Sequence, residues 1–331
     1  MIDRRDVTVG LGLGLIGASA LARATQPPAY DDPRDLYAAM RDQPATRFAA
    51  HGGTVDLVFA DGAPGLDRRL VRAWLDQGIA AISGYFGRFP VARYGLLVIA
   101  EPGDRVGHAT TYGFASSVTR IHVGTSANEA AFSRDWVLVH EMLHAALPDL
   151  PRRALWLQEG NATWLEPVMR ATAGYLPESE IWRQTIRGMP TDRPGPGDGG
   201  MDGTRDHGRI YWGGATFWLL AEIAIAQASH GKRSLRDAMR AINRQSGGNS
   251  ADWTPEQMMA AGDAAIGSDA LSRLYQRFST ERVDTDLDAL FARLGVALRG
   301  GVVALDESAP LAGLRRRLAQ PAAGLIRDYP Q

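Results

Sequence analysis

The sequence predicts an α+β fold in two lobes, a small sheet with helices followed by a mainly helical half. Three observations carry this. Strand-like runs at residues 54–60, 94–100 and 118–123 surround one long helical stretch in the first half. From residue 154 onward almost every periodic segment is helical. Between the halves, residues 136–147 are apolar on nearly every face, which marks a buried helix. A chain of 331 residues, 45% hydrophobic, is ample for a core of this size.

Residues 25–50 are polar, with Pro, Asp and Arg, and read as a lead-in. Residues 54–60 form a strand, and Asp61-Gly62-Ala63-Pro64-Gly65 turns the chain. In residues 66–86 the stripe Val71, Leu75, Ile79, Ile82 and Phe86 has helical spacing. The nearly continuous apolar run at 94–100 is a buried strand, whereas the alternation at 118–123 suits an edge or half-buried one. Pro148 and Pro151 end the buried helix, and residues 154–170 resume helically. Residues 188–208, dense in Gly, Pro and Asp, read as a long mobile loop of the kind that acts as a lid. A helix over 214–229 follows, closed by Gly231. Thr254-Pro255-Glu256-Gln257 is a capping box with Pro at the first helical position. Further helices are expected at 269–278 and 286–294, a small strand at 302–305 and a charged helix surface at 314–318. The lobes are placed at 30–147 and 152–300, with 301–331 as a tail.

Net charge is −1, so nothing points to nucleic acid or to a strongly anionic membrane. The chain has no cysteine, which excludes disulfides and thiolate metal sites. Residues 1–24 read as an export signal. Arg4-Arg5 precede a mild apolar run at 7–20, and Ala18-Ser19-Ala20 and Ala22-Arg23-Ala24 are small-x-small cleavage sites. Paired arginines before a weak apolar run resemble a twin-arginine leader. The expected location is periplasmic or extracellular, anchored only if the segment stays uncleaved; the run is shorter than the roughly 20 residues of a spanning helix. Gly12-Leu13-Gly14-Leu15-Ile16-Gly17 spells GxGxxG, but no strand precedes it and Pro27-Pro28 stops any following helix, so a dinucleotide site is rejected.

The chemistry centres on His140-Glu141-Met142-Leu143-His144. Helical positions four apart share a face, so His140 and His144 point the same way. Two imidazoles so placed hold one Zn²⁺, and Glu141 between them is positioned to act on a metal-bound water. Glu159, from the next helix, completes a His₂Glu set with an open fourth position. Burying these polar groups in an apolar helix costs free energy unless a partner satisfies them, and one zinc ion does so. Glu166, two turns after Glu159, either supports the site or pairs with Arg170 at i+4. His108 and His122 read as strand-face histidines and His207 as a loop residue. Asp198, Asp202 and Asp206 lack the alternate spacing of a calcium loop. Asn161-Ala162-Thr163 is a chance sequon within a helix.

His140-Glu141-x-x-His144 followed by Trp156-Leu157-x-Glu159-Gly160-x-Ala162-x-Trp164-x-Glu166 resembles the gluzincin zinc metallopeptidases, in their aminopeptidase branch with the glycyl aminopeptidases. Tyr211-Trp212-Gly213-Gly214 is similar to that branch's Tyr-x-Lys-Gly, whose tyrosine binds the transition state. The resemblance runs over residues 54–226. It departs in two places: only 14 residues (145 to 158) separate His144 from Glu159, and Gly213 replaces the lysine. The resemblance implies a thermolysin-like two-lobed metallopeptidase with a small mixed sheet. It further implies one Zn²⁺, a peptide or protein substrate, and Tyr211 as oxyanion donor beside the base Glu141. In that family an edge strand before the metal helix pairs with the substrate main chain, here expected within 112–121. No Asp or Glu lies between Asp104 and Glu129 to anchor a free amine, which leaves an endopeptidase open. An exported binding protein that keeps the fold without turnover is the third reading.

Overall fold

The computed structural model describes residues 30–320; the export signal and the GxGxxG run lie outside them. The first half holds helix α1 (Pro33–Asp42), strands β1 (Ala45–Ala50) and β2 (Gly53–Phe59), and helix α2 (Arg68–Phe86). Strands β3 (Arg93–Glu101), β4 (Val106–Tyr112) and β5 (Ser117–Gly124) follow, then helices α3 (Glu129–Arg134) and α4 (Val137–Ala146). The second half is mainly helical: α5 (Leu155–Thr172), α6 (Glu178–Gly188), α7 (Gly214–Ala228), α8 (Leu235–Ser246), α9 (Pro255–Ile266), α10 (Ala270–Thr280) and α11 (Leu287–Leu294). A hairpin of β6 (Val296–Arg299) and β7 (Val302–Leu305) and helix α12 (Ala312–Ala319) end it. The fold is α+β, with one mixed five-stranded sheet and a helical region.

The sheet order is β1-β2-β3-β5-β4. The three inner strands are parallel, and both edge strands run antiparallel to their neighbours. Parallel inner strands are covered on both faces, which explains their apolar runs. One face packs on α2 and α4 through Tyr94, Leu96, Val98, Ile121 and Val123. The other carries Leu97 and Val118 against α1. Side chains alternate along a strand, so Thr119 faces α4 while Arg120 and His122 face away.

Four expectations are corrected. Residues 30–50 are not a plain lead-in but contain α1 and β1. Pro33 starts α1, and the Asp32 carboxylate accepts from the backbone N–H of Arg34 at 2.8 Å. β1 is polar because its Arg47 answers the buried Asp56 of β2 at 2.6 Å. The strand before α4, β5, is interior; the edge is β4, whose Gly, His and Thr residues hide it from an apolar-pattern reading. The 188–208 stretch is fastened rather than free. Met201 and Asp202 donate backbone N–H groups to the carbonyls of Phe278 and Ser279, and Gly203 to that of Arg153. Gly200 touches the Ser279 carbonyl so closely that a Cβ would not fit. Within the 314–318 surface, Arg315 is fully buried and pairs with Glu178 at 3.0 Å.

Candidate metal centre

α4 has no polar side chain at its first residue. Asp135 instead accepts from the backbone N–H groups of Val137 and Leu138 at 3.0 and 3.2 Å, which fixes where the helix starts. One turn on, His140 and His144 lie on one face with their rings perpendicular, 4.9 Å between centroids. Glu159 reaches them from α5. Its Oε2 lies 3.1 Å from His140 Nε2 and 3.5 Å from His144 Nε2. Among the described residues these histidines are its only ion-pair partners. Burial opposes the charge of His144, yet the Glu159 carboxylate pushes its imidazole up to about 9. Burial likewise opposes Glu159, yet the two imidazoles hold its carboxyl well below the usual range.

The donor set fits a zinc ion. Ligand atoms on a tetrahedral zinc with bonds of about 2.0–2.1 Å lie about 3.3 Å apart along each edge. The distances from Glu159 to the two imidazoles fall on either side of that value. Among the described residues, no cation other than the two histidines pairs with this partly buried carboxylate.

Glu141 points from the same turn of α4 toward the sheet. Thr111 Oγ1, on edge strand β4, donates to its Oε2 at 2.7 Å. Tyr211 lies across the site in a π-helical turn, Arg209–Gly213, that runs into α7. Such wide turns recur at functional sites because they re-aim a side chain without breaking the helix. Its ring lies 6.2 Å from that of His140, nearly parallel, and His207 stacks on its other side at 4.5 Å. Burial and the neighbouring Glu159 keep the phenol protonated. Trp136, half exposed, stands edge-on to His140 at 5.3 Å and forms a wall.

Two glycines set the spacing of α5 and α7. A Cβ on Gly160 would lie 2.3 Å from a backbone atom of Gly214, and one on Gly214 would lie 2.1 Å from the Trp156 carbonyl. Glu159 adjoins Gly160 and Tyr211 lies three residues before Gly214, so this contact holds the two segments close together.

The fold has solved counterparts. An aminopeptidase N family protein from Idiomarina loihiensis superposes with a TM-score of 0.54 at 16% identity, covering 78% of this chain and 50% of that one. The fold is that of the aminopeptidase N family. The M1 zinc metallopeptidase from Deinococcus radiodurans also matches, with a TM-score of 0.46 at 17% identity over 74% of this chain and 52% of that one. The chain thus spans about half the length of these solved chains. No protein-family profile matches the sequence, and no curated protein does either.

The remaining sequence candidates stand apart from this centre. Glu166 is buried in an ion pair with Arg170 at 2.9 Å, and burial pushes its carboxyl up to about 7 despite that partner. His108 and His122 stack at 4.0 Å on the opposite face of the sheet, near Glu101. Arg120 Nη1 lies 3.4 Å from the Nε2 of each, where a cation would otherwise sit. Asp202 accepts from Trp156 and Tyr275, Asp206 caps the 209–213 turn, and Asp198 bonds the Gly195 N–H, so the three form no shared site. Asn161 is buried in α5, out of reach of glycosylation. Sequence reading missed Tyr94, Thr111 and Thr119, which join Glu141 only through the strand order.

Proposed function

We propose that this chain is a zinc-dependent peptide hydrolase that binds one ion through His140, His144 and Glu159. The observation that carries the reading is the meeting of two imidazole nitrogens and one carboxylate oxygen from separate helices beside a glutamate on the same helical turn. What zinc supplies when bound is a Lewis acid and a water of lowered pKa. Glu141 would take a proton from the attacking water and pass it to the leaving amine. Tyr211, kept protonated, donates a hydrogen bond to the developing oxyanion. The open edge of β4 receives an extended peptide by strand addition.

The fold supports an aminopeptidase-like enzyme. Strand β4 and the turn after it supply no Asp or Glu for a free amine, and this favours an endopeptidase. Hydrolysis of free and N-blocked peptides by the purified protein, with and without a chelator, tests both. Zinc-dependent cleavage of free peptides alone supports the first reading, and equal cleavage supports the second. Cleavage that survives complete chelation sinks the metal mechanism. A zinc-loaded chain that cleaves nothing in a broad library leaves the binding-protein reading. Export belongs to the proposal too: N-terminal sequencing of the mature protein is expected to start after Ala20 or Ala24.

A further inference from the structure

We infer that a one-way chain of three hydroxyls, Tyr94 to Thr119 to Thr111, positions the carboxylate of Glu141 and selects which of its oxygens exchanges protons. The inference rests on the hydrolase reading of the site. The chain crosses three strands. Tyr94 Oη on β3 donates to Thr119 Oγ1 on β5 at 2.6 Å. Thr119 and Thr111 Oγ1 are 2.7 Å apart, and Thr111 donates to Glu141 Oε2 at 2.7 Å.

The direction follows from the buried end. Tyr94 is fully buried, and burial holds its phenol protonated, so it enters the chain as a donor. Thr119, also fully buried, accepts that proton and has one of its own to give. Thr111 is the acceptor in reach, and its own hydrogen then goes to Glu141, whose charged Oε2 at 2.7 Å is nearer than its backbone carbonyl at 3.1 Å. Thr119 and Thr111 each accept once and donate once, Tyr94 only donates, and none of the three is left unpaired. Chains polarised in one sense strengthen their last link.

The result is a fixed Glu141. Oε2 is taken, and among the described residues Oε1 has no hydrogen-bond partner. Oε1 is the oxygen left to take a proton from water. Thr111 does not touch the reacting atoms and is a positioning residue. It also sits on the edge strand that would receive substrate, so strand addition and base alignment share one element.

The test uses the full-length, zinc-loaded protein. Thr111→Val keeps the shape and removes the donor. It is expected to lower kcat about 10- to 100-fold with KM and zinc content unchanged. Thr111→Ser restores most of the loss. An unchanged kcat in Thr111→Val overturns the inference, and so does a Ser variant as impaired as the Val variant, since that would mean packing alone. If Thr111→Val does not fold, Tyr94→Phe serves. It deletes only the far donor and is expected to lower kcat by about two- to fivefold, and no change in kcat overturns the chain. If the wild-type protein holds zinc and hydrolyses nothing, the hydrolase reading has failed separately. The crystal structure of Thr111→Val then decides, a Glu141 carboxylate in its original rotamer overturning the inference.

Discussion

Two groups of two histidines and a glutamate lie on opposite faces of the same sheet, and they behave as opposites. In the first, His140, His144 and Glu159 converge from two helices, no guanidinium among the described residues pairs with Glu159, and the imidazole of His144 is drawn toward its charged form. In the second, Glu101 meets His122 Nδ1 at 2.9 Å, but Arg120 stands against both ring Nε2 atoms. Burial, His108 and Arg120 push His122 down, toward the neutral form. The residue types are identical. What separates them is the fixed charge in the neighbourhood: a permanent cation a few ångströms away repels a divalent ion. Ligand counting alone would have scored the two groups alike.

The largest effect that would break this comparison is on the metal itself. Glu159→Ala or His140→Ala should lose zinc, measured by metal analysis, and lower hydrolysis on the order of 10³-fold or more. His122→Ala, the counterpart on the other face, should leave zinc content and turnover as they were. If it lowers zinc content, the distinction between the groups is wrong.

Next in size is Glu141→Gln, which should retain zinc while kcat falls about 10²- to 10⁴-fold. Normal hydrolysis would remove the general base from the mechanism. Tyr211→Phe should cost about 10²- to 10³-fold in kcat, by loss of one oxyanion donor, with KM little changed. An effect confined to KM would make Tyr211 a binding wall instead.

The smallest effect concerns a buried carboxylate with neither a metal nor an imidazole. Glu222 is pushed up to about 7, chiefly by burial. Folding therefore favours its protonated form. That contribution is full below the ordinary value of 4.5 and is lost as pH rises through about 7. Glu222→Gln preserves an acceptor for the Leu235 N–H, now bonded at 3.2 Å. The variant should gain about 1–3 kcal/mol over wild type at pH 8 and little at pH 4, by urea unfolding. Equal gains at both pH values would show that its burial is not what shifts it.

The legible parts of this protein are those whose signal is local. His140 and His144 share a face because of helical spacing, and the inner strands β2 and β3 announce themselves by apolar runs. Strand β4 did not, because an edge strand with one exposed face needs few apolar residues; its pattern is Val-Gly-His-Ala-Thr-Thr-Tyr. Helix α1 was within reach, since Asp32-Pro33 is a helix-start signature that a generally polar setting obscured. Thr111 could not be found that way. Its tie to Glu141 spans 30 residues and depends on β4 and β5 pairing in one register, Thr111 opposite Thr119. Arg315 fails for a similar reason: a basic run suggests a wet surface, and only the position of Glu178 shows otherwise.

The contact of Gly160 with Gly214 has a consequence for how this centre can change. Backbone already meets backbone there, so the wall holding Glu159 and Tyr211 has no slack and admits no side chain. Evolution or design that widens the cleft for bulkier ligands must therefore work from the opposite bank, through β4 and Trp136. Diversity between relatives in what they accept should concentrate on that side, while the glycine pair stays as it is.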